Sequence, residues 1–234
     1  MKKKIVIMMV LLLAVVGAKA QEVENPVGRF SVIPRIGVSL ANWSGLVLEP
    51  EKGISLKPKY QAGFMGGADV EYRIDKSLGI TLGAYYARQG MRFSDCELTE
   101  NAEKGEYTGI KNHHVNLGYI QVPLMLKAYL VEGLAVNAGV QVGFLCGDGK
   151  VKREETDLQK DKNGSITYKD MQKTEAPWPA KKVDVAIPLG LSYEYMNVIL
   201  DARYNVSLTK AGKGDWDNCK NKALTFTVGY RFTL

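Results

Sequence analysis

Ten charged side chains sit in phase within the apolar segments of this chain: Arg35, Asp69, Glu71, Arg73, Lys127, Asp184, Glu194, Asp201, Arg203 and Arg231. Side chains of an extended segment alternate with a period of two, so charges in phase share one face. Facing one another across a narrow interior, these carboxylates, guanidinium groups and the Lys127 ammonium would pair. Catalysis would need more, a nucleophile beside an oriented base. The chain has two histidines, His113 and His114, adjacent in one segment, and no Ser–His arrangement is visible. The expectation is a structural charge network with no catalytic residue, and a protein that is not an enzyme.

Other chemistry is weaker still. Neighbouring strand residues point opposite ways, so His113 and His114 make a poor metal site. Asp161, Asn163, Gly164, Ile166 and Asp170 partly match a calcium loop, but Gln159 takes the first ligand position and no helices flank it. Asn163-Gly164 is instead a strong hairpin turn, so a β-hairpin in the long segment 147–182 is expected. Gly143 to Gly149 lacks the Gly-Lys-Ser/Thr ending of a phosphate loop. Cys96, Cys146 and Cys219 are odd in number, and no pairing among them can be chosen. Neither a metal nor a cofactor is expected. Pro177-Trp178-Pro179 and Trp216 read as loop anchors at the outer interface, the alternative being a ligand-contact patch.

The elements that position the charges are long strands. Leu224, Phe226, Val228, Tyr230, Phe232 and Leu234 alternate with Ala223, Thr225, Thr227, Gly229, Arg231 and Thr233. The same period runs through 198–208, 183–195, 134–144, 120–130, 78–86 and 60–73, and more faintly through 32–42. That makes eight strands, longer than the ~5–6 residues common in soluble proteins and suited to the ~9–11 that cross a bilayer on a tilt. Tight turns near Asp75-Lys76, Glu132-Gly133 and Met196-Asn197 interleave with long connections at 43–58, 92–115, 147–182 and 210–220. The expected fold is all-β: an eight-stranded antiparallel up-and-down transmembrane β-barrel with short periplasmic turns and long extracellular loops. Both termini would then be periplasmic.

Apolar residues could point inward, as in a soluble barrel, or outward to lipid. The opposite face decides: charged and rich in glycine, it suits a narrow lumen better than a solvated exterior. Tyr72, Tyr193, Tyr195, Tyr230 and Phe232 end the apolar face near the turns, where an aromatic girdle is expected. Residues 1–20 read as a secretory signal peptide: Lys2 to Lys4, an apolar run from Ile5 to Val16, then Ala18-Lys19-Ala20. Residues 21–31 would be a short periplasmic segment and 32–234 the barrel domain. The leader carries four of the 31 basic residues, leaving 27 against 25 acidic ones, a balance of +2. No nucleic-acid partner is expected from so small a charge.

Tyr119-Ile120-Gln121-Val122-Pro123-Leu124-Met125-Leu126-Lys127 resembles a strand motif of the PorT-like outer-membrane β-barrel family of Bacteroidetes. Leu200-Asp201-Ala202-Arg203-Tyr204-Asn205 with Ser207-Leu208-Thr209 is similar to the family's penultimate strand, and Asn221 through Phe232 to its closing one. The likeness runs from about residue 32 to 234. It implies a barrel in the outer membrane of a Gram-negative bacterium, in contact with its lipid, and little about activity. Outer-membrane proteins often end in an aromatic that the assembly machinery recognises; Leu234 departs from that pattern, with Phe232 two residues back on the same face. The expected role is structural or interactive: adhesion, docking of an envelope or extracellular protein partner through the loops, or envelope assembly. The alternatives are a narrow channel or small-solute transporter, a soluble secreted ligand-binding barrel, and a barrel enzyme acting on lipids.

Overall fold

The computed structural model describes residues 27–101, 103–161, 163 and 165–234. The expected leader, residues 1–20, lies outside the described residues. Strand β1 (Phe30–Ser44) is followed by a small hairpin of β2 (Leu48–Glu51) and β3 (Ile54–Leu56), then β4 (Lys59–Arg73), β5 (Leu78–Arg92) and β6 (Cys96–Asn101). The chain continues through β7 (Glu106–Val131), β8 (Leu134–Leu145), β9 (Gly149–Lys160) and β10 (Ile166–Trp178). It ends in β11 (Val183–Tyr195), β12 (Val198–Ser207), a 3-10 turn (Gly214–Trp216), β13 (Lys220–Tyr230) and β14 (Phe232–Thr233).

Eight of these close into an antiparallel barrel. Neighbours pair in the order β1, β4, β5, β7, β8, β11, β12, β13, and β13 returns to β1 through Arg35↔Gly229 to Ser44↔Lys220. Closure leaves no ladder edge in the wall, as hydrocarbon demands of every backbone N–H and C=O. No helix among the described residues is long and apolar enough to cross a membrane; this chain crosses with strands.

Exposure settles which face meets lipid. Ile36, Phe64, Leu82 and Leu126 are 53–61% exposed, whereas Arg35, Asp69, Glu71 and Lys127 are at most 3% exposed. The apolar side therefore faces outward and the charged side lines the interior. A soluble barrel would show the reverse.

Two of the short turns carry their own chemistry. The Asp75 carboxylate accepts from the backbone N–H of Ser77 at 2.6 Å and of Leu78 at 2.9 Å, closing the β4–β5 turn. Met196 and Asn197 both have positive φ, 47° and 66°, between the paired residues Tyr195 and Val198. That is the left-handed geometry a two-residue hairpin matching the strand twist requires.

The long connections differ from expectation in one respect. Segment 92–115 is not simply a loop: β7 begins at Glu106 and runs 26 residues, so half of it stands beyond the barrel. There it pairs with β6 on one side and β9 on the other, and β9 pairs with β10. The wall thus continues past its loop end as a sheet of four strands. The β9–β10 hairpin occupies the segment where a hairpin is expected.

Candidate functional site

The interior is layered. Nearest the turns, Glu71 on β4 sits among three donors from other strands. Lys127 Nζ on β7 lies 3.2 Å away, the Tyr129 hydroxyl donates at 2.5 Å, and Arg231 Nη2 lies at 3.2 Å. Arg231 also donates from Nε to Glu194 Oε1 at 2.6 Å and from Nη2 to Oε2 at 2.9 Å. Two carboxylates thus meet two cations. Arg73 is not in this pairing. It lies partly exposed at the mouth, its guanidinium carbon 3.2 Å from the centroid of the Tyr129 ring, and donates to the carbonyls of Asp75 and Lys76.

A second set lies at mid-barrel. Arg35 Nε donates to Asp69 Oδ2 at 2.8 Å, and Arg203 Nη2 reaches the same oxygen at 3.2 Å. Arg203 Nε pairs with Asp201 Oδ1 at 2.7 Å. The strands make room for these groups with glycine. A Cβ on Gly83 would stand 2.3 Å from Asp69 Oδ1, and one on Gly190 would stand 2.1 Å from Asn137 Oδ1 and 2.9 Å from Arg203 Cγ. Toward the loop end Asp184 is held by neutral groups: it accepts from Ser207 Oγ at 2.7 Å, Thr209 Oγ1 at 3.0 Å and Asn221 Nδ2 at 3.4 Å.

Above Asp184 the lining turns apolar. Trp43, Met91, Phe93, Val115, Leu117, Trp178 and Cys219 belong to one buried cluster across the loop-end mouth. Trp178 stacks on Trp216 with centroids 4.5 Å apart and planes 13° apart, and meets Trp43 edge-on at 6.1 Å. This corrects the expectation that Trp178 and Trp216 anchor a membrane interface. The fourth long connection packs against the end of the third, where the Lys213 N–H donates to the Pro179 carbonyl, and Trp178 is buried in the cluster with Trp216 stacked on it.

Residues 19–211 match the outer membrane protein beta-barrel domain family. The chain belongs to that family. No curated protein matches it. Solved structures similar to this outer membrane barrel include Ail, the attachment invasion locus protein of Yersinia pestis, at 16% identity and TM-score 0.44, covering 88% of this chain and 100% of that one. Neisserial surface protein A is similar at 14% identity and TM-score 0.43, covering 87% and 97%. The outer membrane protease OmpT of Escherichia coli is similar at 12% identity and TM-score 0.31, covering 92% and 99%. Likenesses of that degree transfer no role.

The remaining sequence-derived groups of this outer membrane barrel are dispersed. Tyr193 and Tyr195 are exposed beside the Met196-Asn197 turn. Tyr72 is half-buried against Phe30 at 4.9 Å, and Tyr230 packs on Phe232 at the same distance. His113 is buried against Phe93, its ring centroid 4.7 Å away, while His114 points to the other side. Burial, helped by Arg153 and His114, pulls the His113 pKa down to about 4. Among the described residues no three His, Cys, Asp or Glu side chains gather as a metal site. Asp161 uses Oδ1 to accept from Asn163 N–H and Ser165 N–H, each at 2.8 Å, in the hairpin turn. Cys96, Cys146 and Cys219 are free thiols.

Strand phase puts Tyr129 and Asn137 on the interior face with the charges, where they lie. Sequence reasoning passed over Gln89 and Asn221, which share that face; Asn221 Nδ2 donates to Gln89 Oε1 at 2.7 Å. The signal was present: Asn221 is in phase with Ala223 and Thr225.

Proposed function

We propose that this is a non-enzymatic outer-membrane protein that engages an envelope or extracellular protein through its loop end, standing on a barrel that does not conduct. Its loops face outward and both termini lie in the periplasm. The single observation carrying this reading is that the barrel wall continues beyond the apolar band as the β6–β7–β9–β10 sheet, whose outer strand β10 has no partner on its far side among the described strands. Ile166, Tyr168 and Met171 are exposed along that strand. An unpaired edge is a row of free backbone donors and acceptors, and apolar side chains on it supply specificity for an added strand.

The interior supports a closed barrel. Lumen glycines could leave space for water, but at Gly83 and Gly190 the space is taken by Asp69, Asn137 and Arg203. Eight strands enclose an interior that side chains just fill. In this reading the paired charges lock the strands together, and Tyr72, Tyr193, Tyr195, Tyr230 and Phe232 form the girdle at the periplasmic interface. The PorT-like likeness of 119–127 and 200–209 fits the same role, without naming a partner.

Two measurements test this. In planar bilayers the folded barrel should give no conductance above background; steady single-channel steps would overturn the closed lumen. Deleting 156–172 should leave heat-modifiable migration intact and abolish binding to any envelope or matrix protein that the full barrel captures from a purified panel. Undiminished binding by the deletion would remove β10 from the interaction.

A further inference from the structure

We propose that the exterior of β4, β5, β7 and β9, just beyond the apolar band, binds the phosphate groups of an outer-leaflet glycolipid. This surface is distinct from the β10 edge, and it rests on the outward orientation of the loop end.

The argument begins with register. Residues directly opposite on adjacent strands point to the same side of the sheet. One cross-strand row reads Lys59↔Arg92, Arg92↔His114 and His114↔Lys152, ending on Glu175 of β10. Along β7, His114 is in phase with Ile120, Leu124 and Leu126, all exposed, so the row lies on the lipid-facing side. The next exterior row holds Asn116 and Lys150, and the row beyond holds Arg88 opposite Gly118. Like charges directly opposite one another destabilise a sheet. Here Lys59 faces Arg92, and among the described residues neither makes an ion pair or a side-chain hydrogen bond.

The acidic groups nearby do not balance the row. Glu175 pairs with both Lys150 at 2.5 Å and Lys152 at 2.6 Å. Asp95 lines the cleft beside Lys59 and Arg92, with its Oδ1 engaged by the Asn112 N–H at 3.2 Å. Arg88 donates to the neutral Asn116 Oδ1 at 2.8 Å. The cleft at the end of β4, about 500 Å³ and lined by Lys59, Arg92, Asn112, His113 and His114 among others, presents donors to an anion.

Height selects the kind of lipid. On β5 and β7 the apolar exterior stops at Tyr86 and Ile120; on β4 it runs past Phe64 to Tyr60, whose exposed ring lies beside Lys59. The Tyr86 hydroxyl reaches over Gly118, 2.8 Å from where a Cβ there would be. Arg88 lies two residues past Tyr86, and Arg92 six. At about 3.3 Å per residue and a tilt of ~35–45°, Arg92 stands roughly 15 Å above the apolar edge. A phospholipid headgroup layer adds only ~5–8 Å per leaflet. Arg88 is within its reach, but the Lys59–Arg92–His114–Lys152 row is not. A lipid with several phosphorylated sugars spans both levels.

The test uses the full barrel in micelles, with native mass spectrometry to count bound lipid. The probes are rough lipopolysaccharide with a phosphorylated inner core, the same lipid dephosphorylated with aqueous hydrofluoric acid, phosphatidylglycerol, and inorganic phosphate as competitor. Each cation near an anionic surface contributes roughly five-fold, so the triple variant Lys59→Gln, Arg88→Gln, Arg92→Gln should bind the phosphorylated lipid roughly 100-fold more weakly. Its heat-modifiable migration should be unchanged, since all three side chains are exposed. Arg92→Lys in an otherwise native chain should retain most of the binding. Equal binding of the native and dephosphorylated lipids, or of the wild type and the triple variant, would overturn the proposal. Phosphatidylglycerol bound as tightly and lost equally in the variant would overturn the glycolipid assignment, and displacement by millimolar inorganic phosphate alone would show a simple anion site. Loss of the β10 interaction would not alter any of these results.

Discussion

Removing the Glu71 charge should unfold the barrel more readily than any exposed substitution. Glu71 is 1% exposed and faces Lys127, Tyr129 and Arg231. Glu71→Gln keeps the shape and leaves two buried cations facing the single carboxylate of Glu194. Stranding one buried charge in this way costs about 3–5 kcal/mol. With a urea slope of ~2 kcal/mol per molar, the midpoint should fall by roughly 2 M. The assay is reversible urea unfolding in lipid vesicles, followed by tryptophan fluorescence and by heat-modifiable migration. The double variant Glu71→Gln, Lys127→Met restores neutrality, with Arg231 still on Glu194, and should recover more than half of the loss. A single variant within about 0.5 kcal/mol of wild type would refute the reasoning, because the pair would then be solvated. A double variant worse than the single would refute it differently: the cost would be packing and not charge.

Trp178→Ala should cost about 3–5 kcal/mol by unfolding midpoint, since it deletes a buried ring from the loop-end cluster; Trp216→Ala, at the half-buried partner, should cost less. Gly37→Ala would place a Cβ 1.9 Å from the Phe226 carbonyl oxygen across the β1–β13 ladder. The folded, fast-migrating band should melt at lower temperature, with a loss of ~1–3 kcal/mol or more; an unchanged melt would show that the seam yields. His113 gives a pH dependence of definite sign. Its folded pKa is depressed to about 4 from 6.5, so the unfolded chain holds the extra proton and stability falls as pH drops from 6.5 toward 4. Stability curves of wild type and His113→Gln should separate across that window and run parallel above pH 7; parallel curves throughout would mean that His113 is solvated.

The strands and their faces were legible because lipid imposes one rule along a whole crossing. Ile80, Leu82, Ala84 and Tyr86 must alternate with small or polar residues for as long as hydrocarbon lies outside. Beyond the apolar band that rule lapses, and Glu106-Tyr107-Thr108-Gly109-Ile110-Lys111 carries no alternation from which β7 could be extended. Its strand character comes from pairing with β6 and β9, which is non-local. Trp178 was misread for a similar reason: flanked by prolines, it had no local signal of whether its loop folds over the mouth or lies along the rim. Trp43 did have one, being in phase with Ser39 and Ala41. The charged interior was readable from phase alone. Which carboxylate meets which cation was not, because partners such as Asp69 and Arg203 are 134 residues apart and meet only across the closed wall.

The 26 residues of β7 run about 86 Å, with a bulge by Asn112, rooted at the turn end and emerging on the other side of the bilayer. Along its length it is laddered to β5, β6, β8 and β9. A pull on its loop-end tip would load those ladders in shear, many bonds at once, so that the strand would resist extraction from the wall.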